Sequence, residues 1–358
     1  MSATMRDNMP ANDGRDDGDG PARATFAQAH RTHVFKKLLQ REFWEHKGGF
    51  FWAPVVMGAI VAVLTILGSI TGSVLVGDRL GDIRHQAEWN ELEIDGRTGA
   101  EAASHALGMA GDATLISGVY MACIVLTFVV FFYALGALYD DRKDRSVLFW
   151  KSMPVSDTQM VLSKAAWALV LAPALAVVIG LVLGIVLWLI SAATLAFNGF
   201  PGAGAIFTRS HPLRMLFQAL SNVPVYAFWA LPTVGWLMLC SAWARSKPFL
   251  WAVLIPILGG VLISWLGSLP GIEVAHDKVW YVLVVRGLLS VVPGIWYAND
   301  AVTSRAAPDI EGPEELARMF AASNSWQVFT TAELWIGAVV GAAMIYAAIR
   351  LRRWRDEG

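Results

Sequence analysis

The chain predicts an all-α membrane protein, a six-transmembrane-helix bundle with an N-terminal interfacial helix and a second short helix on the cytoplasmic side. Three observations carry that reading. Residues 50–76, 115–139, 165–197, 223–244 and 249–269 contain no Asp, Glu, Lys, Arg or His, and each run meets the roughly 20 residues a helix needs to cross a hydrocarbon core. None shows the ten-residue alternation of a membrane barrel, and helices satisfy their own backbone groups in lipid. Of the 28 Lys and Arg, 19 fall on the side that holds both termini and 9 on the other, so the positive-inside rule makes both termini cytoplasmic.

Taken in order, residues 1–29 are rich in Asp, Gly, Ala and Arg and predict a disordered cytosolic tail. His30 to Lys47 predicts a helix at the inner membrane surface, with Val34, Phe35, Leu38, Leu39 and Phe43 on one side and Lys36, Lys37, Gln40 and Arg41 largely outside it. Glu42 falls inside the apolar sector. It snorkels, pairs with His46 one turn on, or contacts a cytosolic partner. The spans follow at about 50–76, 115–139, 165–190, 223–244, 249–269 and 332–349, the last with Glu333 at its outer end. With about fifty polar residues before it and no small-residue cleavage site, the first run reads as a retained span rather than a signal peptide.

Between the second and third spans the signals are denser. Asp140, Asp141, Arg142, Lys143, Asp144 and Arg145 form a charge cluster. Ser146 can open a short helix that Pro154 ends, and Ser156 with Gln159 makes a capping box that starts the helix leading into span three. Phe149, Trp150 and Lys151 suit an interfacial anchor, but a topology signal has no need of the three acids. In the last outer loop, 279–292 is apolar, interrupted by Arg286 and closed by Pro293. Its fourteen residues suit a re-entrant or interfacial helix better than a crossing.

Several chemistries are disfavoured. The chain has no Walker A loop and no H-E-x-x-H, so no cofactor is expected in it and no catalytic residue is assigned. His85, Glu88 and Glu91, and Glu101 with His105, have helical spacings, yet read as solvated faces rather than a metal site. All seven histidines lie outside the spans, which leaves Ser117 without a base for intramembrane proteolysis. Five spans without an ionisable residue argue against a secondary transporter. Cys123 and Cys240 lie within spans and imply no disulfide framework. A net charge of −1 gives no hint of nucleic acid.

The run Asp140-Asp141-Arg142-Lys143-Asp144-Arg145-Ser146, followed by Ser152-Met153-Pro154-Val155-Ser156 and Lys164, is similar to the acidic-basic, Ser-x-Pro-x-Ser pattern of the permease subunits of ABC-2 type ABC transporters. The resemblance covers residues 30–355. It implies a permease domain that pairs with a second, identical or related permease in the membrane lipid of a bacterial inner membrane, and with cytosolic ATPase subunits that carry the ATP and Mg. Ser146 to Pro154 would then be the coupling helix, with Asp140 to Arg145, Phe149, Trp150, Lys151 and Glu42 at the ATPase contact. The chain itself would be non-catalytic and its substrate pathway unknown. The family mostly exports lipids, glycans, peptides and drugs. The alternative is a non-transporting membrane scaffold or sensor that recruits a cytosolic partner.

Overall fold

The computed structural model describes residues 21–84, 93–94, 97–143, 155–200, 202–270, 274–298 and 325–356. Apart from a two-residue antiparallel pair, β1 (Glu93–Ile94) against β2 (Arg97–Thr98), the regular structure is helical. Six helices among the described residues are long and apolar enough to cross a membrane. The chain is therefore an integral membrane protein, and an even number of crossings brings its two ends to one face of the bundle, the termini face.

Helix α1 (Pro21–Lys47) begins earlier than the sequence predicts and does not stop before the first span. It kinks at His46 (φ −112°, ψ 15°) and runs through a π-helical turn, Gly48–Trp52, into α2 (Ala53–Arg84). The same device recurs in the third span, where α5 (Asp157–Ala166) passes through a π turn, Trp167–Leu171, into α6 (Ala172–Phe197). Each π turn ends two residues before a proline, Pro54 and Pro173. A proline has no N–H for the i−4 carbonyl and its ring clashes with it, so one extra residue in the preceding turn relieves both problems without ending the helix. The capping box is present: Ser156 Oγ accepts from the Gln159 N–H, and the Gln159 side chain accepts from the Ser156 N–H.

The second span comprises α3 (Gly99–Gly136), a two-residue turn, and α4 (Tyr139–Lys143). The remaining elements are α7 (Ala205–Thr208), α8 (Pro212–Trp243), α9 (Pro248–Leu266), α10 (His276–Trp280) and α11 (Ala332–Asp356). The helical segments Val34–Val74, Glu101–Lys143 and Asp157–Phe197, each with an apolar middle and charged residues toward an end, are 41, 43 and 41 residues long. At 1.5 Å per residue each is about 60 Å long, twice a hydrocarbon core of about 30 Å, so all three project beyond it.

Close packing follows the small residues. A Cβ at Gly118, Gly180 or Gly184 would overlap the facing backbone of the α3–α6 pair, and one at Gly235 or Gly341 would overlap that of the α8–α11 pair. Gly180-x-x-x-Gly184 thus joins helices, as small-residue spacings do in lipid, and Gly341 does so from the last helix. Gly68 and Gly72 meet nothing within 4 Å. The bundle is built around α8, whose apolar window is 61% buried against 17% for the first and fifth spans.

Segment 274–298 is not the single helix that residues 279–292 suggest. It breaks into α10, a π turn at Tyr281–Arg286, bends, and a 3-10 turn at Ile295–Ala298. Irregular backbone at membrane depth is tolerated only where protein covers it, and here Arg286, Leu288, Ser290, Val291, Trp296 and Tyr297 are all buried.

Candidate functional site: a buried charge chain at the termini face

Five ionised side chains from four helices meet where α1, α4, α5 and α11 converge. Lys164 Nζ lies 3.0 Å from Glu42 Oε1 and 3.5 Å from Asp141 Oδ1. Arg352 continues the chain, with Nη1 3.2 Å from Asp141 Oδ2 and Nε 3.3 Å from Asp157 Oδ1. Glu42, Lys164, Arg352 and Asp141 are 1%, 2%, 5% and 8% exposed, so each charge depends on its neighbours rather than on water. Three carboxylates face two cations, and the surplus is met at the Glu42 end. There the Tyr133 hydroxyl donates to Glu42 Oε2 at 2.9 Å and His46 Nδ1 stands 3.9 Å away.

Helical periodicity explains why these polar groups point inward. Ile345, Ala348, Ile349 and Arg352 form one buried stripe of α11, and Val161, Lys164, Ala165 and Ala168 form another through α5. Such i, i+3, i+4, i+7 stripes face a core even where one member is charged. At the level of the two π turns an aromatic stack braces the chain. Phe50 lies parallel to Trp167 at 5.1 Å, Phe43 stacks on Trp167 at 5.6 Å, and Trp167 Nε1 donates to the Leu39 carbonyl at 2.8 Å.

A second set of bonds fixes the break between α3 and α4. The Leu138 and Tyr139 N–H groups donate to Ser241 Oγ at 3.0 and 2.9 Å. In return, the Arg142 guanidinium donates to the Ser241 carbonyl and, at 3.1 Å, to that of Ala244. These are orphan groups at helix ends, and the exchange satisfies both.

Of the residues that the sequence assigns to a partner contact, Glu42 and Asp141 are taken up inside this chain, because Lys164 and Arg352 stand within ion-pair distance. For Glu42 the main partners are Lys164 and Tyr133, with His46 secondary. Arg142 is half-buried on α8, while Asp140 and Lys143 are exposed. Asp144, Arg145, Ser146, Phe149, Trp150, Lys151 and Pro154 lie outside the described residues. Sequence reasoning missed Arg352, Asp157 and the central place of Lys164. The signal for the two cations was their position on an otherwise apolar stripe, Arg352 at its end and Lys164 within it.

Among the described residues one trio, Glu42, Glu45 and His46, brings possible metal ligand atoms within 4.8 Å of one another. Its donors are already engaged, since Glu42 serves Lys164 and Tyr133 and Glu45 pairs with Arg41 at 2.7 Å.

At the opposite face, Arg286 forms a separate station. Pro232 opens the α8 ladder, and Arg286 Nη1 donates to the Trp229 carbonyl at 2.6 Å and to Ser290 Oγ at 3.0 Å. Its guanidinium lies 3.7 Å from the Trp229 ring centre, its Nε is 3.3 Å from Glu333 Oε1, and Tyr281 donates to the same carboxylate oxygen at 2.9 Å. Arg286 and Glu333 form part of the wall of an open cleft of about 1260 Å³ between α9, α10 and α11.

The fold and this site define a helical integral membrane protein with a buried ionic junction at the face that holds both termini. Compared with known proteins, the chain matches no family model, no curated protein and no solved structure.

Proposed function

We propose that the chain is the transmembrane permease subunit of an ATP-driven exporter of the ABC-2 type, coupled to a separate cytosolic ATPase. One observation supports the reading most directly. Arg352 pairs with Asp141 and with Asp157, the residues that flank segment 144–154, so a single side chain of the last helix ties together both ends of the loop between spans two and three. A displacement of that loop would reach α1 through Lys164 and Glu42, and α8 through Arg142. Such a junction suits a loop that receives mechanical work from outside the membrane. Five spans free of ionisable residues are consistent with energy entering there rather than through a coupling ion.

On this reading the face of the loop is cytoplasmic, the membrane is a bacterial inner membrane, a second permease completes the pathway, and ATP and Mg reside on the partner. Asp140, Lys143, Asp144, Arg145 and the segment Ser146 to Pro154 make the ATPase contact, with Phe149 and Trp150 as aromatic anchors. Glu42 and Asp141 act behind it as positioning residues. The test is Phe149→Ala with Trp150→Ala, assayed for co-purification of a candidate cytosolic ATPase and for hydrolysis. The variant is expected to insert and fold while losing about 2 kcal/mol or more of partner affinity, the usual cost of truncating a central aromatic anchor. Partner binding unchanged per folded molecule would remove the reading. A scaffold that only recruits a partner would bind it without stimulating hydrolysis.

A further inference from the structure

A second cavity lies within the bundle, away from the charge chain. It is half-open, lies where the tip of segment 274–298 meets α3, α6 and α8, and has a volume of about 60 Å³. That is room for a few water molecules, since one needs roughly 10–15 Å³. Along α3 it runs from Ile116 to Leu126, about 15 Å at 1.5 Å per residue. Pro173 bounds it on α6, just past the second π turn, and Gly294, held at φ +88°, lets the chain turn over it so that Trp296 and Tyr297 complete the wall.

Its chemistry is specific. Tyr120, Tyr226, Trp296 and Tyr297 supply four aromatic rings, and among the described residues no Asp, Glu, Lys, Arg or His lines it. The Tyr297 hydroxyl is occupied, 2.7 Å from Ser325 Oγ. The Tyr226 hydroxyl is not: the residue is 3% exposed, and this oxygen has no hydrogen-bond partner among the described residues. Asn222 Oδ1, on the same helix one turn earlier, is also buried and unpartnered. A tyrosine and an amide carbonyl enclosed in a bundle normally find partners, since leaving them unpaired is costly. Two such oxygens in the wall of one cavity, together with Trp296 Nε1, a buried donor that also lacks a partner among the described residues, distinguish it from an apolar packing void, which stays dry.

We propose that this cavity is a binding site for a small hydrogen-bond donor, neutral or singly positive. Asn222 Oδ1 can only accept, the Tyr226 hydroxyl can do either and Trp296 Nε1 can only donate. The guest therefore donates to the two oxygens, a hydroxyl or amine-alcohol can also accept from the indole, and the rings present negative faces that favour a cation over an anion. The proposal does not depend on the coupling reading, because none of these residues belongs to the charge chain.

The two cysteines make the test internal. Cys123 lines the cavity, whereas Cys240, 1% exposed, does not. The full-length protein is treated with 2-aminoethyl methanethiosulfonate, a cation, and with 2-sulfonatoethyl methanethiosulfonate, an anion. Rates are read by mass spectrometry and scaled to those of free cysteine. Cys123 should take the cation about tenfold faster than Cys240 does, and about tenfold faster than it takes the anion, the ratio sustained by one net hydrogen bond. Cys123 as slow as Cys240 means a dry void and overturns the proposal, and equal rates for the two reagents overturn its charge class. Independently, Tyr226→Phe should lower Tm, because it removes a partner of the guest. A rise in Tm shows an orphan hydroxyl removed from a dry cavity and also overturns the site.

Discussion

The charge chain at the termini face and the Arg286 station at the other face both bury cations, but they solve the problem differently. At Arg286 the cation is satisfied largely by neutral groups, the Trp229 carbonyl and Ser290 Oγ, and its one carboxylate partner is 31% exposed. At Lys164 and Arg352 the cations lie between carboxylates drawn from α1, α4 and α5, and the carboxylates are buried with them apart from Asp157. The Arg286 station is a local clip on a proline break. The charge chain is a junction in which no helix can shift without exposing an unpaired charge. Removing one member of each should therefore have unequal effects, and that inequality can be measured.

The largest effect is expected from Lys164→Met, which leaves Glu42 and Asp141 buried with the central cation gone. Breaking a buried pair in this way costs about 3–5 kcal/mol, read as a drop in thermal or denaturant stability of the protein in detergent. Adding Glu42→Gln should recover a large part of the loss. If the single variant loses under about 1 kcal/mol, the junction is hydrated and its contrast with the Arg286 station disappears.

Arg286→Leu should cost less, about 1.5–3 kcal/mol, the worth of charged hydrogen bonds, because the released Glu333 carboxylate can reach water. A loss equal to that of Lys164→Met would show that exposure of the carboxylate does not separate the two sites. Tyr133→Phe sharpens the comparison at the Glu42 end. It removes one hydrogen bond to a carboxylate that keeps Lys164, and about 1.5 kcal/mol is expected by the same measurement. No change would mean that the surplus negative charge is met elsewhere, with His46 the next group to substitute.

The smallest effect belongs to Ser156→Ala, at the start of the helix that carries both Asp157 and Lys164. Loss of the capping box should cost about 1 kcal/mol, and hydrogen exchange should quicken at Gln159 and its neighbours. Exchange that instead quickens around Arg352 would show that the cap and the ionic junction act as one unit.

The sequence by itself determined the six spans, the capping box and the class of protein, because these rest on local quantities: run length, the period of a helix, and the needs of unpaired backbone groups. It also marked Glu42 as out of place on an apolar face. It missed the continuity of α1 with α2, since a π turn that accommodates Pro54 leaves no polar signal, and it read 279–292 as one helix because composition does not register the contacts that hold Arg286. The partners were decided only by the tertiary structure. Glu42 meets Lys164 across 122 positions and Asp141 meets Arg352 across 211. Pairings at such separations depend on how the helices are arranged, and close contacts at Gly180, Gly184 and Gly341 fix that arrangement through shape, which no local pattern of charge or hydropathy records.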